Sequence, residues 1–288
     1  MQRREFLTAA VATGLTAAAE TTRGDVLIPR RNNDSGTYST RYYPGYDSRQ
    51  RRNPSDYQRY ILLEVYSTQS IQKRNDLLRS FDSHLISDRN KLGFDKVGVF
   101  YIDTNLMRGD RSYDARLYDS AVFVVQESSY LENFLDLQSR TADNYSRFNL
   151  SDDLEFIDEE MTVLRSLICQ PRITVPYYGR DRILQLRTYN SPNYERNIAK
   201  ARMFEQGELD LFRRCGMEPV FMGSAIFGSW IPNITYMLSF ENDDARRDGW
   251  DMFVRHPEWV QMSRDPQYAR TATRIRNLFL RPSHESQI

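Results

Sequence analysis

A chain of 288 residues with 40% hydrophobic content is long enough to bury one large core or two modest ones. Lys plus Arg and Asp plus Glu both number 39, so the overall charge carries no bias toward nucleic acid or an anionic surface. Its two cysteines, Cys169 and Cys215, are too few for a disulfide scaffold and match no metal spacing, so both are expected as buried free thiols.

At the start of the chain, Arg3-Arg4-Glu5-Phe6-Leu7 precedes a moderately apolar run, Thr8 to Thr16, and then the small residues Ala17-Ala18-Ala19. Adjacent arginines ahead of such a run resemble a twin-arginine export signal, whose pathway carries proteins already folded. The run is too short to span a bilayer as a helix. Residues 1–19 are therefore expected to be a signal peptide cleaved after Ala19, and the mature protein to be exported to the periplasm without a transmembrane span. Residues 20–58 are rich in Arg, Asn, Ser, Asp and Tyr and have no apolar periodicity, which predicts a flexible linker. The interleaved Tyr and Arg there, as in Arg41-Tyr42-Tyr43, read as a solvated tether rather than a stacking platform for nucleic acid.

From Tyr60 a pattern of elements appears twice. Tyr60 to Tyr66 reads as a strand, Ser70 to Lys91 as a helix, and Gly93-Phe94 turns into a second strand ending near Ile102. Asp119 to Glu127 is a third strand, Tyr130 to Phe148 a helix, and Thr162 to Cys169 a fourth strand. The acidic run Asp152 to Glu160 reads as a solvated helix start before that strand. In the second appearance, Ile183 to Tyr189 is a strand and Asn193 to Arg214 a helix. Pro219 to Phe227 and Asn233 to Glu241 are paired strands, Trp250 to Trp259 is helical, and Thr273 to Leu280 closes the unit. This β-α-β-β-α-β order is the ferredoxin-like pattern.

Opening strands align at a shift of 123, with Leu63 on Leu186, Tyr66 on Tyr189, Phe81 on Phe204 and Gly93 on Gly216. Closing strands align at a shift of 111, with Thr162 on Thr273 and Pro171 on Pro282. The difference puts extra residues of the first copy in the Asp103 to Tyr118 loop, where insertions are tolerated. The chain therefore reads as an internal duplication, residues 59–172 and 181–282.

The second copy resembles the NIPSNAP family through its opening Leu184 to Asn190, the Gly216-Met217 turn, Trp250-Asp251-Met252-Phe253 and the box His256-Pro257-Glu258-Trp259. That resemblance implies a dimeric α/β-barrel fold in which ferredoxin-like units pair sheet to sheet. It carries over no catalytic residues. Two copies in one chain can pair internally, so the expected fold is an α+β barrel made of tandem ferredoxin-like units in one monomer, with homo-oligomers optional.

Strand alternation suggests the barrel's lining. Leu184, Leu186 and Thr188 form one set on the opening strand and should face the helices, which leaves Arg187 and Tyr189 pointing inward. In the first unit, Glu64 and Tyr66 fall at the matching positions. The four are candidate ligand-binding residues, with Glu64 and Arg187 expected as an interior ion pair. His256 is the fifth candidate, although Pro257 after it reads first as a helix start. Trp259 is expected to pin that helix to the sheet, and Trp250 and Phe253 to be core. Three scattered histidines, no glycine-rich phosphate loop and no GxSxG elbow leave no metal and no cofactor motif. The first functional expectation is a binding module for a small molecule or a partner protein. The alternative is a cofactor-independent monooxygenase-like enzyme, or one acting on heme or an aromatic substrate, using a cavity inside the barrel.

Overall fold

The computed structural model describes residues 58–94, 96–108, 113–134, 137, 156–179 and 181–288. The expected signal peptide and nearly all of the linker lie outside these residues, as does most of the helix expected at Tyr130 to Phe148.

Eight strands form one closed barrel: β1 (Tyr60–Thr68), β2 (Val97–Ile102), β3 (Ala121–Ser128), β4 (Phe156–Ser166), β5 (Ile183–Asn190), β6 (Glu218–Phe227), β7 (Asn233–Phe240) and β8 (Arg274–Pro282). Around the barrel they run β1-β3-β2-β8-β5-β7-β6-β4, with every neighbouring pair antiparallel. Each half of the chain thus contributes four adjacent strands, β4-β1-β3-β2 and β8-β5-β7-β6. The halves meet at β2 with β8 and at β4 with β6.

The closing-strand alignment needs correction. Leu63 pairs with Thr162 while Leu186 pairs with Leu278, so the strands correspond at a shift of 116 (278 minus 162), not 111. The acidic run also differs. Residues 156–160 are strand, not a helix start, because β4 pairs with β1 as far as Thr68 opposite Phe156. Register with a buried partner overrides the local preference of Asp158, Glu159 and Glu160.

The barrel interior is filled by apolar side chains from all eight strands, among them Leu63, Val65, Phe100, Phe123, Leu164, Leu186, Phe221, Met237 and Leu278. Leu186, expected to face the helices, belongs to this set. Glu64, Tyr66, Arg187 and Tyr189 point the other way, into the layers between the sheet and the helices. Arg187 stacks on Trp250 of a helix, and Glu64 bonds Arg89 of another. The physical reason is that both faces of the sheet are buried. The middle of the interior is filled by apolar side chains, whereas the helices bring counter-charges and indole or phenol groups. Glu64 and Arg187 therefore sit under different helices and form no interior ion pair.

The first half's outer face is covered by α1 (Ile71–Ser80) and α2 (Ile86–Lys91), joined through a single π turn, Phe81–Leu85. Ser70 caps α1 by accepting from the Lys73 amide. Short helices α3 (Thr104–Met107) and α4 (Ala115–Tyr118) lie between β2 and β3. The second half is covered by α5 (Tyr194–Met203) and α6 (Leu209–Arg214), joined through the π turn Phe204–Glu208, and by α7 (Asp243–Arg255). The expected helices Ser70 to Lys91 and Asn193 to Arg214 are thus present, each with a π turn after ten residues. Helix α8 (Pro257–Ser263) has no buried residue and lies outermost.

Candidate functional site

Strand β5 carries Gln185, Arg187 and Tyr189 toward the helices of the second half. Each meets a specific partner. Trp250 on α7 donates from its indole Nε1 to Gln185 Oε1 at 2.7 Å. The Arg187 guanidinium lies 4.7 Å from the Trp250 ring centroid and 5.3 Å from that of Tyr189, within cation–π reach of both. Tyr236 on β7, directly opposite Arg187, donates from its hydroxyl to the Tyr189 hydroxyl at 2.9 Å.

Helix α5 and its π turn bring a second charge pair to the same place. Lys200 and Glu208 are both buried, with Lys200 Nζ donating to Glu208 Oε2 at 2.6 Å. The ammonium also faces Phe204 at 4.3 Å and Tyr189 at 5.2 Å. The π turn is what makes this pairing possible, since its extra residue rotates Glu208 back over Lys200. Gly207 within it has φ of 142°, a backbone that a side chain would strain.

The cluster holds two cations, Arg187 and Lys200, against one carboxylate, Glu208. Arg187 is 7% exposed, and its Nε has no hydrogen-bond partner. Burial alone would lower its guanidinium, but the Tyr189 and Tyr236 oxygens and Glu208 more than offset that and hold it above its ordinary value. Burial pushes the Glu208 carboxyl up against the opposing pull of Lys200 and Arg187, and pushes the Tyr236 phenol well up.

The other predicted residues lie apart from this cluster. Glu64 and Tyr66 form a separate group under α2, where Arg89 Nη2 donates to Glu64 Oε1 at 3.1 Å and the Tyr66 hydroxyl to the same oxygen at 3.2 Å. Gln126 Nε2 completes it with a bond to Glu64 Oε2 at 3.3 Å. His256 is the N-cap of α8, its Nδ1 accepting from the Glu258 amide at 3.3 Å, as the helix-start expectation requires. Trp250 and Phe253 are core, while Trp259 stacks 4.5 Å from Phe253 and so pins α8 to α7 instead of to the sheet. Cys215 is buried and Cys169 half-buried, both free, and burial pushes both thiols up. Among the described residues no group of three metal-ligating side chains comes together, and no helix is long and apolar enough to cross a membrane.

Lys200 and Glu208 were missed in the sequence, although a signal exists. With Phe204 they stand four residues apart along an otherwise apolar helix face, which is where a charge must be paired.

Residues 184–287 match the NIPSNAP family. The NIPSNAP match begins on β5 and covers the whole Arg187 cluster. No curated protein matches the chain at a significant level. Among solved structures, a monooxygenase candidate from Lactobacillus acidophilus NCFM has 10% identity and a TM-score of 0.53, covering 80% of this chain and 98% of that one. Another, from Fusobacterium nucleatum subsp. nucleatum, has 6% identity and a TM-score of 0.51, covering 80% of this chain and 96% of its own. These two likenesses establish a shared α/β-barrel fold extending over both halves. An uncharacterised NIPSNAP-like domain protein from Burkholderia xenovorans has 21% identity and a TM-score of 0.33, over 38% of this chain and 90% of that one.

The charge count makes an asymmetric prediction. Glu208→Gln leaves two buried cations without a carboxylate and should destabilise by about 3–5 kcal/mol. Lys200→Met leaves Glu208 facing Arg187 and should cost clearly less. Urea unfolding of both variants checks this, and equal losses would contradict the shared-carboxylate reading.

Proposed function

We propose that this protein is a binding module for a small organic anion, taken at Arg187 between β5 and helices α5 and α7. The observation that carries the reading is an excess of buried positive charge: the guanidinium is more than nine-tenths buried and its Nε has no partner, while Glu208, which helps offset that burial, is also hydrogen-bonded to the Lys200 ammonium. A buried polar atom left unpaired is costly, and a carboxylate ligand would supply its partner. Trp250 and Tyr189 flank the guanidinium, whose planar fork suits a carboxylate. Entry past α8 is the economical route, since that helix has no buried residue and Trp259 holds it to Phe253. An oxidising enzyme using the barrel cavity has less support, because Phe100, Phe123 and Phe221 occupy that space.

Two further parts of the reading rest on the sequence and on strand order. The Arg3-Arg4 pair and the short apolar run support export and action in the periplasm. The repeated strand order, and π turns beginning at Phe81 and Phe204, 123 residues apart, support an origin by internal duplication.

A benzoate titration followed by thermal melting tests the site. Wild-type protein should be stabilised, whereas Arg187→Met should lose the response to the ligand. A variant that melts lower and responds as before would assign Arg187 a structural role only. For export, residues 1–40 fused to a folded fluorescent reporter should leave the cytoplasm, and Arg3→Lys with Arg4→Lys should retain it; unaffected export would refute the twin-arginine reading. For the duplication, residues 181–288 expressed alone should form a dimer in sedimentation, one copy covering the other's bare sheet, and a folded monomer would count against it.

A further inference from the structure

The barrel has one short seam. β8 pairs with β2 only at Phe100, Tyr101 and Ile102, against seven paired positions along β5. Past Pro282 the chain continues along β2 as a strap, Ser283 to Ile288. Ser283 and Gln287 donate their amides to the Val99 and Val97 carbonyls at 2.8 and 3.0 Å. In return, the Val99 and Val97 amides are met by side chains, Ser286 Oγ at 3.0 Å and Gln287 Oε1 at 2.9 Å. Asp82 Oδ1 accepts from Ser283 Oγ at 2.5 Å and from the Glu285 amide at 3.3 Å. Ile288 is 1% exposed, and its main-chain oxygen accepts from Arg182 Nη2 at 3.1 Å.

Ile288 fills a specific gap. Gly98 faces the barrel interior opposite Val125, and a Cβ built there would stand 2.5 Å from the Phe100 ring and 2.9 Å from Ile288 Cβ, so Ile288 shares that space with Phe100. At the corresponding place in the second half, opposite Met237, β6 carries Phe221. The strap thus shares with Phe100 the interior space that Gly98 leaves on β2. It does so without belonging to any other element, and a cleft of about 580 Å³ stays open beside it, bordered by Ile86, Asn90, Lys91, Glu285 and Gln287.

We propose that the slot along β2 exchanges its occupant, so that Ser283–Ile288 of a second copy takes the place of the chain's own strap. The slot fits this sequence: a hydroxyl and an amide at the Val99 and Val97 amides, then an aliphatic side chain over Gly98. The same segment from another copy makes the same contacts. The strap is held by these hydrogen bonds and by one buried side chain, Ile288, and a segment at the margin of a sheet can open locally without unfolding the rest. Strand addition at a partly unpaired edge is an established mode of peptide capture.

A complementation experiment tests this. A donor chain with Gly98→Val keeps its strap and has its slot blocked; an acceptor with Ile288→Asp keeps its slot and has a weakened strap. Each alone should be monomeric in native mass spectrometry, and their mixture should give a 1:1 heterodimer that disappears when the donor also carries Ile288→Asp. Two separate monomers in the mixture of folded chains would overturn the proposal. Should Gly98→Val fail to fold, the acceptor is titrated with a fluorescein-labelled Ser283–Ile288 peptide. Saturable binding, competed by unlabelled peptide, is expected, and a flat anisotropy curve overturns exchange.

Discussion

Closing one barrel from two four-stranded sheets is the constraint that sorts the residues of this protein. Each sheet has one face under helices, and its other face can be buried only by the opposite sheet. The enclosed space admits side chains and few hydrogen-bond partners, so the apolar set of every strand goes there. The mid-strand charges Glu64 and Arg187 go to the layer beneath the helices, where a partner is delivered from a second element, while Glu127, on the interior-facing set of β3, lies at the strand's end and accepts from the Ile173 amide. Beneath the helices Glu64 meets Arg89, and Arg187 meets Trp250.

The architecture was legible in the sequence because its signals are local and repeated. Period-two runs, a helix after each opening strand and a glycine turn before each second strand lie at the same spacing in both halves, and the helices begin after caps at Ser70 and Asn193. Which face a strand turns inward was not legible. In β5 both sets, Leu184-Leu186-Thr188 and Gln185-Arg187-Tyr189, are buried, so alternation separates them without saying which side holds the partners. The closing-strand alignment failed for a related reason. Matching Thr162 to Thr273 follows residue identity, whereas pairing with Leu63 and Leu186 fixes the register five positions away, an odd number that exchanges the faces.

Filling the interior is a joint property of both halves, which explains why β2 and β6 differ where their positions correspond. β2 presents Gly98 and then Phe100; β6 presents Phe221 and then Gly223. A side chain at Gly98 would meet the Phe100 ring and Ile288, and one at Gly223 would meet Leu164 Cβ at 2.7 Å. Large and small residues trade places between the strands, and density is kept by what faces each glycine. A single half read alone cannot reveal this, since one of the two neighbours that share the space left by Gly98, Ile288, is 190 residues away.

The same comparison separates what the fold requires from what the second half has added. Both opening helices contain a π turn beginning at a buried phenylalanine, Phe81 or Phe204. Around it, the first half seats Leu77 and Leu85, both buried against Tyr66 and Phe81. The second half has Lys200 and Glu208 at those positions, 123 residues on, above Arg187. An apolar pair therefore satisfies this helix–sheet contact in the same chain, so the contact itself does not call for ions. A buried ion pair, a positive-φ Gly207 and a guanidinium against two aromatic rings thus stand where two leucines would pack, a local departure from what folding alone requires.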